Sequence, residues 1–137
     1  MQQFLQNNLS LIALVAISGA MLLWPAISRK ISGVKEAGTL EATQLINHRE
    51  AVVLDVREDK EFAAGHLLNA LHIPLGQLKT RISEIEKLKG RPVVVMCRSG
   101  VRSVTGCRVL RNNGFAEVYN LKGGIIAWEQ AKMPVER

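Results

Sequence analysis

The stretch "VVVMCRSGVRS", residues 93–103, decides the fold. Its apolar run is of strand length and continuous rather than alternating, as expected of a parallel strand covered on both faces. The run stops on Cys97. Arg98, Ser99, Gly100, Val101, Arg102 and Ser103 follow, and residues 101–113 continue as a helix that ends at Gly114. A strand that stops on a thiol and turns at once into a helix is the kind of junction where α/β folds place their reactive loops.

The same alternation extends on either side. "AVVLDVR" (51–57) and "AEVYNL" (116–121) read as two further strands. Thr39 is the expected N-cap of a helix over "LEATQLINH" (40–48). "EDKEFAAGH" (58–66) predicts one or two helical turns closed by Gly65 in a C′ role, and "ALHIPL" (70–75) a brief extended piece reaching Pro74. Leu75, Leu78, Ile82, Ile85 and Leu88 predict an amphipathic helix that stops at Lys89-Gly90, and "GGIIAWEQ" (123–130) begins a last short helix. Strands alternating with helices over about a hundred residues imply an α/β domain at 39–137, a parallel sheet flanked by helices on both faces.

The N-terminal part differs. All eighteen Lys and Arg and all twelve Asp and Glu come after residue 28. Residues 9–27, "LSLIALVAISGAMLLWPAI", would span about 28 Å as a helix, close to a hydrocarbon core of roughly 30 Å. Trp24 suits an interface, and Arg29, Lys30 and Lys35 follow it. A cleaved signal peptide would need a basic start and an A-x-A site, and a core helix would need a polar face; the segment has none of these. The expectation is an N-terminal segment 1–30 holding one transmembrane helix, then a linker over 31–38. Positive charge on the C-terminal side alone predicts the N-terminus outside and the domain cytoplasmic, as in a single-pass protein of a bacterial inner membrane. The net charge of +6 is scattered among acids, and aromatics make up only 4%. That pattern suits a domain held near an anionic leaflet and argues against nucleic acid as a partner.

Placed between a buried strand and a helix start, Cys97 is expected to meet several backbone N–H groups and the positive end of the helix dipole, and Arg98 and Arg102 add charge. Each favours a thiolate. Ser99 and Gly100 let the loop curl, and Ser103 can cap the helix or donate a hydrogen bond. Nothing nearby resembles a general base.

These residues carry a resemblance. "CRSGVRS" resembles the active-site loop of rhodanese-like domains, which are single-domain sulfurtransferases. "VVLDVRE", "EFAAGHLLNALHIPL" and "NLKGGIIAW" are similar to the family's other signatures, in the same order. Departures are Leu68-Asn69 where Pro-Gly is usual and His72 where Asn is usual. The resemblance implies a catalytic Cys97 that takes sulfane sulfur from a small anionic donor such as thiosulfate as a persulfide. It then passes the sulfur to a thiol or cyanide acceptor, with Arg98 and Arg102 binding the donor and loop amides holding the terminal sulfur. No metal or organic cofactor is implied. A phosphatase or arsenate reductase is the rival enzyme, but its loop keeps five residues between Cys and the final Arg, against four here. The rival of another class is a tethered adaptor for a membrane-protein partner.

Other polar residues read as structural. Cys107 lies on the apolar stripe of the helix with Val104 and Leu110, too far along for a disulfide with Cys97. Asp55 and Arg57 either touch substrate or serve structure, with Arg57 pairing Glu61 or capping a helix. His66 is either a hydrogen-bonding turn residue or part of the pocket wall, and Trp128 covers the sheet.

Overall fold

A computed structural model describes residues 1–31 and 34–137, in two units, Met1–Gly33 and Val34–Arg137. In the first, α1 (Gln2–Asn7) is followed by α2 (Leu9–Ile31). They part at Asn8, whose side-chain amide donates to the Phe4 carbonyl at 2.8 Å, a local bond that competes with the helical ladder. Leu9–Ile27 has a mean hydropathy of 2.1, and none of it is buried. Leu14, Val15, Met21, Leu22 and Trp24 all stand exposed. A core helix buries one side; this helix has the length and apolarity of an anchor or a signal segment.

In chain order the second unit comprises β1 (Lys35–Ala37), α3 (Thr39–Arg49), β2 (Val52–Asp55), α4 (Asp59–Ala64), β3 (His66–Leu67), β4 (Leu71–His72), β5 (Val93–Met96), α5 (Arg102–Asn112), β6 (Val118–Leu121), α6 (Gly124–Gln130) and β7 (Val135–Glu136). One sheet has the order β1-β6-β5-β2-β4 with every pair parallel. β3 and β7 form a separate antiparallel pair. β5 is the central strand and all four of its residues are buried, which is why its sequence does not alternate. Successive side chains still point to opposite faces. Val93, Val95 and Cys97 pack with Cys107 and Leu110 of α5, whereas Val94 and Met96 pack with Ala42 and Leu45 of α3 and with Ile125 and Trp128 of α6. The sulfur therefore belongs to the α5 layer.

Four expectations need correction. Residues 32 and 33 of the expected 31–38 linker lie outside the described residues, and Lys35–Ala37 of that stretch is an edge strand paired to β6. Gly38, not Thr39, is the N-cap of α3; Thr39 is the first helical residue, and its carbonyl accepts from the Thr43 hydroxyl at 2.8 Å. The helix expected over 75–88 is two 3-10 helices, Leu75–Gln77 and Ile82–Leu88. The physical reason is in the spacing. Leu75 and Leu78, and then Ile82, Ile85 and Leu88, recur every three residues, which lines them up on one edge at three residues per turn but not at 3.6. Thr80 breaks the run by donating its hydroxyl to the Gln77 carbonyl at 2.9 Å. Finally, Gly65 does close α4, but with φ 151 and ψ 137 rather than in the left-handed form of a C′ glycine.

Candidate active site

The site is built at the carboxyl end of β5. Its loop spans residues 98–101 and α5 begins at Arg102. Gly100, at φ 94, turns the loop so that its N–H donates to the Cys97 sulfur at 3.1 Å. The Ser103 oxygen lies 3.3 Å from the same sulfur. Burial raises the thiol pKa, and this is the largest single influence. The Ser103 hydroxyl and the N–H groups of Ser103, Gly100 and Ser99 together outweigh it, leaving Cys97 below its ordinary value. Hydroxyl and backbone dipoles supply these contacts, and the Arg102 guanidinium and the Cys97 anion attract each other as well.

Arg102 is held in place by Glu61: its two terminal nitrogens each meet a carboxylate oxygen at 2.8 Å, a bidentate pair that joins α5 to α4. Arg98 is exposed and has no ion pair or side-chain hydrogen bond among the described residues, so it is the cation left to meet an anion. Val101 stands exposed at the loop's tip as the N-cap position of α5. Ser103 caps nothing. It sits fully buried, and its hydroxyl donates directly to the side-chain carbonyl of Asn120 on β6.

Asn120 was not among the expected site residues. Its amide nitrogen donates to the Gly100 carbonyl at 3.0 Å and to Glu36 at 3.4 Å. A polar side chain in the otherwise apolar "VYNL" strand was the available signal. The other unforeseen support is α6. The Ile125 and Ile126 N–H groups donate to the Cys97 and Arg98 carbonyls at 2.9 and 3.2 Å, so the first turn of α6 holds the loop from behind.

Residues 39–131 match the family model described as Rhodanese-like domain. The chain belongs to the rhodanese-like family. It is 39% identical over 92 residues to a sulfurtransferase of Allochromatium vinosum, covering 67% of this chain and 84% of that one. An uncharacterized protein of Escherichia coli K12, YibN, is 34% identical over 127 residues, 92% of this chain and 88% of its own. The uncharacterized YqhL of Bacillus subtilis is 49% identical over 81 residues, of which this chain spans 63% of the relative's length. The crystal structure of a rhodanese-related protein from Thermoplasma volcanium shares the fold with a TM-score of 0.67 at 26% identity, over 74% of this chain and 97% of that one.

The remaining expected residues of this rhodanese-like domain lie in its framework. Asp55 is fully buried and binds the Arg57 guanidinium, at 2.8 Å from Nη2, while the same nitrogen reaches the Gly65 carbonyl at 2.7 Å. Arg57 therefore pairs with Asp55, not Glu61, and clamps the end of β2 to the start of β3. His66 donates from Nδ1 to the Phe62 carbonyl, 2.9 Å away, and stacks on one face of the Phe62 ring; His72 stacks on the other face. His72 also bonds the Arg57 carbonyl at 2.8 Å. Asn69 adopts φ 59, the left-handed conformation that asparagine tolerates, in the position where the family usually has glycine. Cys107 is fully buried, and burial, followed by the negative charge of Glu36 and of Cys97, pushes its thiol up to about 12. Trp128 is buried on the sheet and donates Nε1 to the Pro134 carbonyl at 3.0 Å. Among the described residues, no three His, Cys, Asp or Glu side chains are placed to hold a metal ion.

The Glu61–Arg102 pair predicts an acid dependence. Its hydrogen bond to Arg102, chief among several influences, lowers the Glu61 carboxyl from 4.5 to about 2. A carboxyl that ionises more readily when folded contributes stability above its unfolded pKa and loses it as pH falls toward the folded one. Wild type should therefore exceed Glu61→Gln in urea stability at pH 7 by about 1 kcal/mol, a value kept small by solvent screening. The two should converge between pH 4.5 and 2. A difference that persists unchanged down to pH 2 would show that the carboxylate charge is not what stabilises.

Proposed function

We propose that this chain is a membrane-anchored rhodanese-like sulfurtransferase that carries sulfane sulfur on Cys97. One observation carries the reading: the Cys97 sulfur lies under the Gly100 N–H at 3.1 Å, at the first turn of α5, in surroundings that favour its anion. In the first step the thiolate attacks the outer sulfur of a thiosulfate-type donor. A bond from Sγ to that sulfur forms, the donor's S–S bond breaks, and sulfite leaves with the electron pair. The loop N–H groups then surround the terminal sulfur of the persulfide. In the second step a thiol or cyanide attacks that sulfur, and the bonding pair returns to Cys97 as thiolate. Arg98 meets the donor's sulfonate, while Arg102 is kept in place by Glu61. Thiosulfate should add the mass of one sulfur atom to the protein, and cyanide should remove it. A mass left unchanged by thiosulfate, at a pH where iodoacetamide shows the thiol ionised, would overturn the proposal.

The apolar helix supplies the anchor. Arg29, Lys30 and Lys35, after Trp24, favour a cytoplasmic domain. The domain should resist protease added to intact spheroplasts and be digested in inverted vesicles; the reverse pattern would sink this orientation. The same exposed helix supports a second reading, a tethered adaptor for a membrane-protein partner. Full complementation of a deletion by Cys97→Ala, lost on removing residues 1–33, would favour that reading over catalysis.

A further inference from the structure

The Asn120 amide can face only one way. Its nitrogen donates to the Gly100 carbonyl and to the Glu36 carboxylate. Turned over, its oxygen would oppose both of those acceptors. The carbonyl end therefore faces Ser103, which donates to it. A serine hydroxyl has one hydrogen. That hydrogen lies between two acceptors, Asn120 Oδ1 and the Cys97 sulfur at 3.3 Å, and both Ser103 and Asn120 are buried, at 0% and 2% exposure.

With the sulfur as a thiol, the chain of bonds closes: S–H donates to the Ser103 oxygen, and the Ser103 hydrogen goes to Asn120. A thiolate has no hydrogen to give and gains from receiving one. Ser103 can supply it only by leaving Asn120, which strands a buried carbonyl without a donor. The hydroxyl's help to the anion is thus conditional on what Asn120 gives up.

We propose that Asn120 is a positioning residue for Cys97: its side-chain carbonyl competes with the sulfur for the single Ser103 hydrogen and so sets how readily the thiol ionises. The use made of that thiolate rests on the sulfur-transfer reading, but the ionisation itself can be followed by alkylation whether or not sulfur moves. The charged and titratable groups around this unit are Glu36 on β1, the Glu61–Arg102 pair between α4 and α5, Arg98 in the loop and Cys107 on α5. All are kept in the variants below.

The test is the pH profile of Cys97 alkylation by iodoacetamide in the full chain; Cys107, buried and hard to ionise, stays silent. Asn120→Ala frees the Ser103 hydrogen for the sulfur. Its midpoint should fall by about one pH unit, making alkylation about tenfold faster on the acid side. Adding Ser103→Ala should abolish that gain. An Asn120→Ala midpoint that is unchanged or raised, or a gain that survives without Ser103, would overturn the proposal. Should circular dichroism show Asn120→Ala unfolded, Asn120→Val, which also lacks the carbonyl and suits a strand, takes its place with the same expected and overturning midpoints. A profile that moves as expected in a protein that thiosulfate does not load leaves Asn120's role standing and the sulfur-transfer reading refuted.

Discussion

Cys97→Ala should be a folded protein that takes up no sulfur from thiosulfate. The substitution removes the nucleophile and little else. Ser103 and Asn120 keep their mutual bond, and the loop carbonyls keep their donors in α6. The lost packing is one sulfur atom in a core that retains Cys107, Leu110 and Val95 around it. Cys107 does not take over, because it is fully buried and its thiol ionises only near 12. Transfer should fall to the uncatalysed rate, a loss on the order of 10³-fold or more, with a far-ultraviolet spectrum like that of wild type. Persulfide on the alanine variant would move the chemistry to Cys107 and refute the site.

Gly124→Ala should damage both stability and transfer. Gly124 has φ 57, which costs a residue with a Cβ about 1–2 kcal/mol. The added carbon would also come within 2.5 Å of the Arg98 carbonyl carbon and oxygen, and as near to the Cys97 oxygen. Those are backbone atoms with no rotamer to escape into. Either α6 withdraws its N–H groups from the loop or the loop moves off Cys97. We expect a loss on the order of 3 kcal/mol or more in urea unfolding, with sulfur loading slowed at least about tenfold among molecules that remain folded. Gly123→Ala is the control. It shares a positive φ of 74, but its Cβ would meet the Ala127 Cβ at 2.6 Å within α6, so it should lose stability with much less effect on loading. A Gly124→Ala protein that melts and loads like wild type would mean that α6 does not brace the loop.

How much of this could be read from residues alone follows from where each signal was stored. β2, β5 and β6 were legible because runs such as Val93–Met96 are buried on both sides and therefore continuously apolar. β1 was not: two of its three residues are exposed and charged, and only Ala37 faces the core. β3 and β7 are two residues each, held by partners far along the chain, such as Glu136 accepting from the Asn69 N–H at 3.0 Å. The cysteine loop was legible as a thiol followed by glycine and helix. The ion pair that holds Arg102 was not legible, because its partner lies 41 residues away, in a helix whose placement no local pattern encodes. Asn120 stayed hidden for the same reason: its role exists only once β6 lies beside β5 and Val95 is opposite it.

The alternation along β5 has a consequence for insertions and deletions. Adding or removing one residue between Val93 and Met96 would keep the "CRSGVRS" tract letter for letter, yet rotate its sulfur by half a turn about the strand, toward the layer of Ile125 and Trp128. Such a chain would pass any motif search and be chemically mute, so the parity of the strand is as much a part of this site as the thiol itself.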